Sequence, residues 1–301
     1  MKEFGKPEAS LRWFWEPVEG SGLHDLIYTG YSTVTHAMIR AMCERWHMET
    51  SSFHLPVGEM TITLDNMHNL LHIPIHGRML DHDEAMDQEC AIDLMTRLLG
   101  MSDVDARVEI RTESAGHISY PTLKRVYEDH MIEARRLEDT QTREELQERS
   151  RRRQCNWEVV MGRDGLSVLV RLSGCSVILN NRTMAGSTIL FMGWILEHLS
   201  GLYPRKKNKE WTPERPCAGR WLTSRGHIDV HHYRVLLDRL EVDVVRFFTY
   251  GDHREIRPFQ LIVTYSGWLM CGKERVYRHL PEQTSVICHS GAYAFADHRI
   301  A

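Results

Sequence analysis

The stretch FHLPVGEMTITLDNMHNLLHIPIHG, residues 53–77, packs the most structural information into the fewest positions. Phe53, Leu55 and Val57 alternate with His54 and Pro56, and Met60 and Ile62 alternate with Thr61 and Thr63. Two half-buried strands are therefore expected to flank a turn at Gly58, with Glu59 just beyond it. Thr63 stands where an N-cap hydroxyl accepts a bond from a first-turn backbone N–H, and Asp65 where a carboxylate favours the positive end of the helix dipole. A helix should begin at Leu64. Its apolar positions, Leu64, Met67, Leu70 and Leu71, recur at helical spacing. Pro74 cannot continue the hydrogen-bond ladder, so the helix stops near His72 and an extended segment, 73–75, leads to Gly77. Hairpin, short helix and strand specify a scaffold, and no chemistry.

Upstream, Val34, Met38, Met42 and Trp46 recur every four positions with Ala37 and Ala41, predicting a helix from Ser32 to Trp46 that turns Arg40, Glu44 and Arg45 outward. Residues 1–22 hold WFWEP and GSG, an aromatic cluster and a flexible break, which read as an arm docked on the body. Downstream, Ile92, Met95, Leu98 and Leu99 predict a helix ended by Gly100. Residues 102–119 are charged and irregular and read as a loop, and Tyr120 opens a longer helix through Leu123, Val126, Tyr127 and Met131. Arg143 to Gln154 is a solvated helix or connector, placing the weakest seam of the chain near 140–160. Residues 166–179 suit a strand pair or one buried helix.

TILFMGWILEHL, ending at Leu199, is apolar almost all round, as expected of a central helix. PRKKNKEWTPERP follows as a Pro-rich basic loop, and HHYRVLLDRL returns to helix with Tyr233, Leu236, Leu237 and Leu240 on one side. Residues 244–280 suit short strands or buried segments between turns at Gly251, Gly267 and Gly272. The fold class is thus mainly α, in α+β form: a helical globular domain with small β-hairpins, one near residues 53–62.

The chain has 301 residues, 42% of them hydrophobic, enough for a substantial core. A net charge of −4 argues against a globally basic nucleic-acid surface. No run of about 18 apolar residues occurs and MKEFGKPEAS lacks a signal-peptide core, so an intracellular protein without a membrane span is expected. Seven cysteines, none in a CxxC arrangement, point to reduced thiols.

Two blocks resemble the plant mobile domain family, also labelled aminotransferase-like. The first is ERWHMETSSFHLPVGEMTITLDNMHNLLHIPIHGR, residues 44–78; the second is YRVLLDRLEVDVVRFFTYGDHREIRPFQLIVTYSGWLMCGKERVYRHLPE, residues 233–282. Between them LSGCSVILNNRT, LFMGWILEHLSG and PCAGRW are similar to family segments in the same order. On this basis residues 23–282 form the family-like region, 1–22 the arm and 283–301 a divergent tail. The region is shortened near 183–189, where the family carries a further stretch. The positions carrying the likeness as structural or interaction residues are Phe53, His54, Leu55, Gly58, Glu59, Thr63, Leu64, Asp65 and Gly77, and then Tyr233, Asp238, Tyr250, Arg254, Arg257, Pro258, Ser266, Gly267 and Trp268.

The resemblance implies a nuclear interaction domain implicated in transposon silencing, genome integrity and meristem development, with a phosphatase-7-like protein as partner. It implies no demonstrated catalysis. The alternatives are a nucleic-acid-binding domain derived from a mobile element and an uncharacterised enzyme.

Candidate chemistry is weighed against plainer roles. Pyridoxal phosphate needs a Schiff-base lysine, and Lys2, Lys6, Lys124, Lys206, Lys207, Lys209 and Lys273 supply no buried, glycine-flanked site. No cofactor and no small-molecule substrate are expected. Cys217, His227, His231 and His232 match no zinc signature, although His227 and His231 would share a helix face. His54 and Glu59 lack a nucleophile nearby in sequence, and Arg254 and Arg257 fit the bracing of turns through carbonyls or carboxylates. Arg205, Lys206, Lys207 and Lys209 read as a nuclear import signal or a solvated loop. Trp194, Trp211, Trp221 and Trp268 read as core or loop anchors.

Overall fold

The computed structural model describes residues 10–31, 33–47, 52–75, 88–112, 118–140, 187–271 and 275–279, together with Glu8 and Thr50. The expected seam near 140–160 beyond Thr140, the apolar stretch 166–179, residues 183–186 of the shortening expected near 183–189, Gly77 and the tail 283–301 lie outside the described residues. The described chain is mainly helical, with antiparallel sheets of two or three strands.

The core is built around α7, Thr188–His198, in which every residue from Leu190 to His198 is buried. Its first turn is fixed by Ser187, whose hydroxyl accepts a bond from the Leu190 backbone N–H at 3.2 Å. Neighbouring elements come close to this helix at Gly193, where a β-carbon would sit 3.2 Å from the Tyr31 hydroxyl and 3.3 Å from both Ala218 and Leu70. One side of α7 meets α3, Leu64–Leu71, and another the 3-10 turn Cys217–Arg220.

The hairpin lies against the same core. Strands β1 (Trp46–His47), β2 (Ser52–Leu55) and β3 (Gly58–Met60) form one antiparallel sheet, with Phe53 opposite both Trp46 and Met60. The Phe53 ring packs at 4.8 Å from Trp46, 5.5 Å from Trp194 and 5.7 Å from Phe191, tying the sheet to α7. The turn is made by Pro56 and Val57, one step earlier than expected, and Gly58 opens the return strand at φ 118°. The alternation holds in burial: Phe53, Leu55, Val57, Met60 and Ile62 are buried.

Helix α2, His36–Cys43, is shorter than its apolar period suggests, because Trp46 is taken into β1. It packs on α8, Val230–Asp238. Arg45 does not face out; it reaches α8 and bonds Asp238 at 2.7 Å and the Arg234 carbonyl at 3.2 Å. After α3 the chain enters the left-handed region at His72 (φ 58°), and residues 73–75 pair with no described strand, so the expected strand there is absent.

Helices α4 (Gln88–Leu99), α5 (Asp103–Thr112) and α6 (Tyr120–Thr140) enclose a second, small core of Ile92, Met95, Met101 and Ala106. The presence of α5 corrects the expected loop at 102–119. The Ser102 hydroxyl accepts from the Asp105 N–H, Asp103 and Asp105 lie in the positive first turn, and Arg107 clasps both Glu89 and Asp103 at 2.8 Å. Of its residues Ala106 and Glu109 are buried and Ile110 packs on this core, while Val104 and Val108 are exposed, so the apolar period is faint.

The basic loop after α7 is also corrected. Arg205–Lys207 is a strand, β4, paired antiparallel with β5, Trp221–Thr223, in a separate two-stranded sheet. The chain then runs over the surface through short 3-10 turns, Val242–Val244, Gly251–His253 and Leu261–Thr264, to the pair β6 (Gly267–Cys271) and β7 (Arg275–His279). Gly267 opens β6 and is not a turn between elements. A short helix, α1 (Arg12–Gly20), and a 3-10 turn, His24–Tyr28, precede the core. Among the described residues no helix is long and apolar enough to cross a membrane.

Candidate functional site

Helix α3 is where the two sequence blocks meet. Thr63 and Asn66 form a capping box in which the Thr63 backbone N–H and hydroxyl both donate to Asn66 Oδ1, at 2.8 and 3.1 Å. The Asn66 amide donates onward to the Tyr250 hydroxyl at 3.1 Å and meets His198 Nε2 at 3.0 Å. On its other side His198 Nδ1 meets the Arg246 carbonyl at 2.7 Å. A carbonyl can only accept, so Nδ1 carries the proton and Nε2 accepts from Asn66: the ring is held neutral in one tautomer. Burial pushes its pKa down to about 4.

One residue earlier Asp65 receives both ends of the Arg254 guanidinium, Nη1 at 2.7 Å from Oδ1 and Nη2 on the second oxygen. The pair is about one-fifth exposed on each side. Arg254 also lies 3.7 Å above the Phe259 ring.

At the far end of α3, His72 Nδ1 bonds Asp25 at 2.6 Å, and His72 Nε2 meets His253 Nε2 at 2.9 Å. With Nδ1–H given to the carboxylate, His72 Nε2 accepts from His253 Nε2–H, which leaves the buried His253 Nδ1 as an acceptor without a partner among the described residues. Burial first, and then His72, Arg220 and Arg257, push His253 down to about 4. Burial lowers His72 as well, against the pull of Asp25. Arg257 closes this end by donating to the His72 carbonyl at 2.7 Å.

A second polar cluster sits behind. Glu197, 2% exposed, accepts from the Trp221 indole at 2.8 Å and faces Arg220 at 3.5 Å. Burial raises its carboxyl above the usual range, opposed by Arg220 and the indole bond. Arg220 also reaches Cys217 Sγ at 3.2 Å and Asp252 at 3.5 Å and stacks over Trp211.

These groups have the types that catalysis uses, and here they are buried in bonds to one another. His198, His253, Glu197 and Cys217 are all at most 2% exposed. Burial pushes the Cys217 thiol up to about 12, the reverse of an activated nucleophile. What the arrangement does is hold α3, α7 and the surface chain 246–257 in one register.

The hairpin residues are equally occupied. His54 meets Glu59 at 3.3 Å and Thr50 at 3.0 Å, stacks on His47 at 3.6 Å, and Ser52 donates to Glu59 at 3.2 Å. Phe53, Leu55 and Leu64 are core, Tyr233 is buried with its hydroxyl accepting from the His227 N–H, and Pro258 is exposed. Asp238 holds Arg45, while Arg234, beside it on α8, holds Glu44 at 2.6 Å. Ser266 precedes β6, which contains Gly267 and Trp268.

The four residues weighed as a metal site are not brought together. His227 precedes α8 and does not share its face with His231; it stacks on His232, while the Cys217 thiol meets Arg220 in the core. Among the described residues no group of three or more His, Cys, Asp or Glu is placed to hold a metal.

Sequence reasoning placed Asp65, Tyr250, Arg254 and Arg257 and missed Asp25, Asn66, His72, His198, His253, Glu197 and Arg220. The only local signal was polar identity at apolar positions, as with Glu197 and His198 closing the run TILFMGWIL.

The description "plant mobile domain" matches residues 22–135. The protein MAIN-LIKE 1 of Arabidopsis thaliana is 26% identical over 286 residues, covering 84% of this chain and 54% of that protein. Protein MAINTENANCE OF MERISTEMS of the same plant is 37% identical over 87 residues, 28% of this chain and 17% of that one. The Arabidopsis serine/threonine-protein phosphatase 7 long form homolog is 39% identical over 56 residues, 19% of this chain and 4% of its own length. The chain thus spans about half the length of MAIN-LIKE 1 and less of the others. No solved structure matches.

Proposed function

We propose that this chain, whose residues 22–135 match the plant mobile domain and which is similar to MAIN-LIKE 1 over most of its length, is a non-enzymatic nuclear interaction module that works through a phosphatase-7-like protein partner, in transposon silencing, genome integrity and meristem development. The observation that carries this is the surface chain 242–265. Its polar side chains Tyr250, His253, Arg254 and Arg257 turn inward to α3, whereas Val242, Val244, Phe248, Ile256, Phe259, Leu261 and Tyr265 are exposed. Phe248 is 88% exposed and Leu261 80%. Large apolar side chains exposed on a segment braced by inward polar bonds are the composition of a protein-binding face, in which buried aromatic anchors dominate affinity.

The absence of an enzymatic role is supported by the same geometry, because the titratable groups that could do chemistry are buried in bonds to one another. Nuclear entry is assigned to Lys206, Lys207 and Lys209, which are exposed; Arg205 is half-buried under the Trp221 ring at 3.9 Å.

The test is affinity purification of the tagged chain from plant nuclei with mass spectrometry. A phosphatase-7-like protein is expected in the eluate; its absence from an otherwise well-recovered sample overturns the partner. Depletion of the chain from the nuclear fraction when Lys206, Lys207 and Lys209 become Ala checks the import assignment, which unchanged nuclear recovery would remove.

A further inference from the structure

The loop NKEWTPERP, residues 208–216 between β4 and the turn Cys217–Arg220, carries a pattern that neither the core nor the import assignment uses. Of the ten prolines in the chain, only Pro213 follows a serine or threonine, and a cation, Arg215, stands three residues beyond Thr212. A protein kinase cleft that leaves the N–H after the acceptor without a partner selects proline there, because proline has no N–H. An acidic subsite further along the cleft selects the cation. Hydroxyl, proline and cation at these spacings form the recognition pattern of a proline-directed kinase that also reads positive charge.

The fold holds the base of this loop and presents its tip. The Asn208 N–H donates to the Arg220 carbonyl at 2.8 Å, its amide donates to the Gly219 carbonyl at 3.1 Å, and Trp211 Nε1 donates to the Pro216 carbonyl at 2.9 Å. Thr212, Pro213 and Glu214 are exposed between these anchors. The Arg215 N–H closes a turn on the Thr212 carbonyl at 3.0 Å, and Arg215 Nη1 donates to the Glu210 carbonyl at 2.8 Å. A kinase that takes the tip in extended form opens bonds that lie within the loop, a local opening that leaves the core intact. The Thr212 hydroxyl donates to the Glu214 carboxylate, and that bond, with the Glu214 N–H, holds the carboxyl below its usual range. A phosphoryl group in place of the hydroxyl proton sets a dianion against Glu214 and undoes this contact.

We propose that Thr212 is a phosphorylation site for a proline-directed protein kinase, with Pro213 and Arg215 as the residues the kinase reads. Thr212 Oγ1 attacks the γ-phosphorus of magnesium-bound ATP: an O–P bond forms, the bond to the β,γ-bridging oxygen breaks, ADP leaves with that electron pair, and the hydroxyl proton passes to the catalytic carboxylate of the kinase. The phosphate offsets the charge of Lys206, Lys207 and Lys209, so the modification withdraws the import signal. This consequence rests on the import assignment made above, and the site itself does not.

The experiment is phosphorylation of the purified full chain by a cyclin-dependent kinase with labelled ATP, followed by peptide mapping in the mass spectrometer. Label is expected on Thr212 and is expected to vanish in Thr212→Val. Arg215→Ala is expected to slow labelling at least about tenfold while Arg215→Lys keeps most of the rate, because the subsite reads charge; a loop merely loosened by losing Arg215 would be labelled faster. Absence of label on Thr212 in the folded chain overturns the site, as does labelling of a free 207–217 peptide alone, or equal rates for the two Arg215 variants. In plant cells Thr212→Glu is expected to lower nuclear recovery towards that of the chain with Lys206, Lys207 and Lys209 changed to Ala, and Thr212→Val to leave it unchanged. Full nuclear recovery of Thr212→Glu beside a depleted lysine variant overturns the regulatory consequence, whereas a lysine variant that stays nuclear overturns the import assignment and that consequence with it.

Discussion

His198 shows what a single buried side chain decides in this molecule. Its Nδ1 proton is committed to the Arg246 carbonyl and its Nε2 lone pair to Asn66, so a second proton would set one N–H against another in a site 1% exposed. The folded-state pKa of about 4 lies below the ordinary 6.5, and the unfolded chain therefore binds more protons between those values. Stability is complete above pH 6.5, is lost as pH falls towards 4, and has no further slope from this group below that. At about pH 5 the loss from this imidazole is on the order of 1–2 kcal/mol, and His253 adds to it in the same direction. Urea unfolding at neutral pH and near pH 5 checks this: the midpoint is expected to drop, and equal midpoints would show that the imidazoles are not held neutral.

At the scale of elements, the hairpin and α3 were legible because their determinants are local. Thr63 caps, Pro74 stops, and the alternation from Phe53 to Ile62 matches the pleat. Gly58, taken from the sequence for the turn, opens β3 at φ 118°, a conformation that a β-branched residue adopts only under strain. Gly58→Val is expected to cost on the order of 1–3 kcal/mol and to lower the thermal midpoint; an unchanged melting profile would show that the hairpin does not organise this end of the core. Elements held by distant partners were illegible. Helix α5 depends on Arg107 reaching Glu89 on α4, and β4 on a register with β5 across a long loop. The candidate site was half legible: Asp65 and Arg254 stood in the two blocks as opposite charges able to pair, whereas His72 and His253, in the same two blocks and 181 positions apart, are two imidazoles whose contact neither charge nor periodicity signals.

For the whole molecule, the two blocks that carry the family likeness are also the two that the fold binds together. Glu44 meets Arg234, Arg45 meets Asp238, Asn66 meets Tyr250, Asp65 meets Arg254, and His72 meets both His253 and Arg257. The exposed pairs among these contribute little singly, and their worth is in fixing the chain 242–265 against α3. A surface fixed in this way presents Phe248 and Leu261 without the ordering cost that a mobile loop would incur on binding. The most direct measurement is isothermal titration of the purified chain with a phosphatase-7-like long-form protein, alongside the folded variant Phe248→Ser with Leu261→Ser. The account predicts a saturable complex that the variant weakens at least about tenfold, as loss of central apolar anchors does; no detectable complex, or equal affinity for the variant, would contradict it.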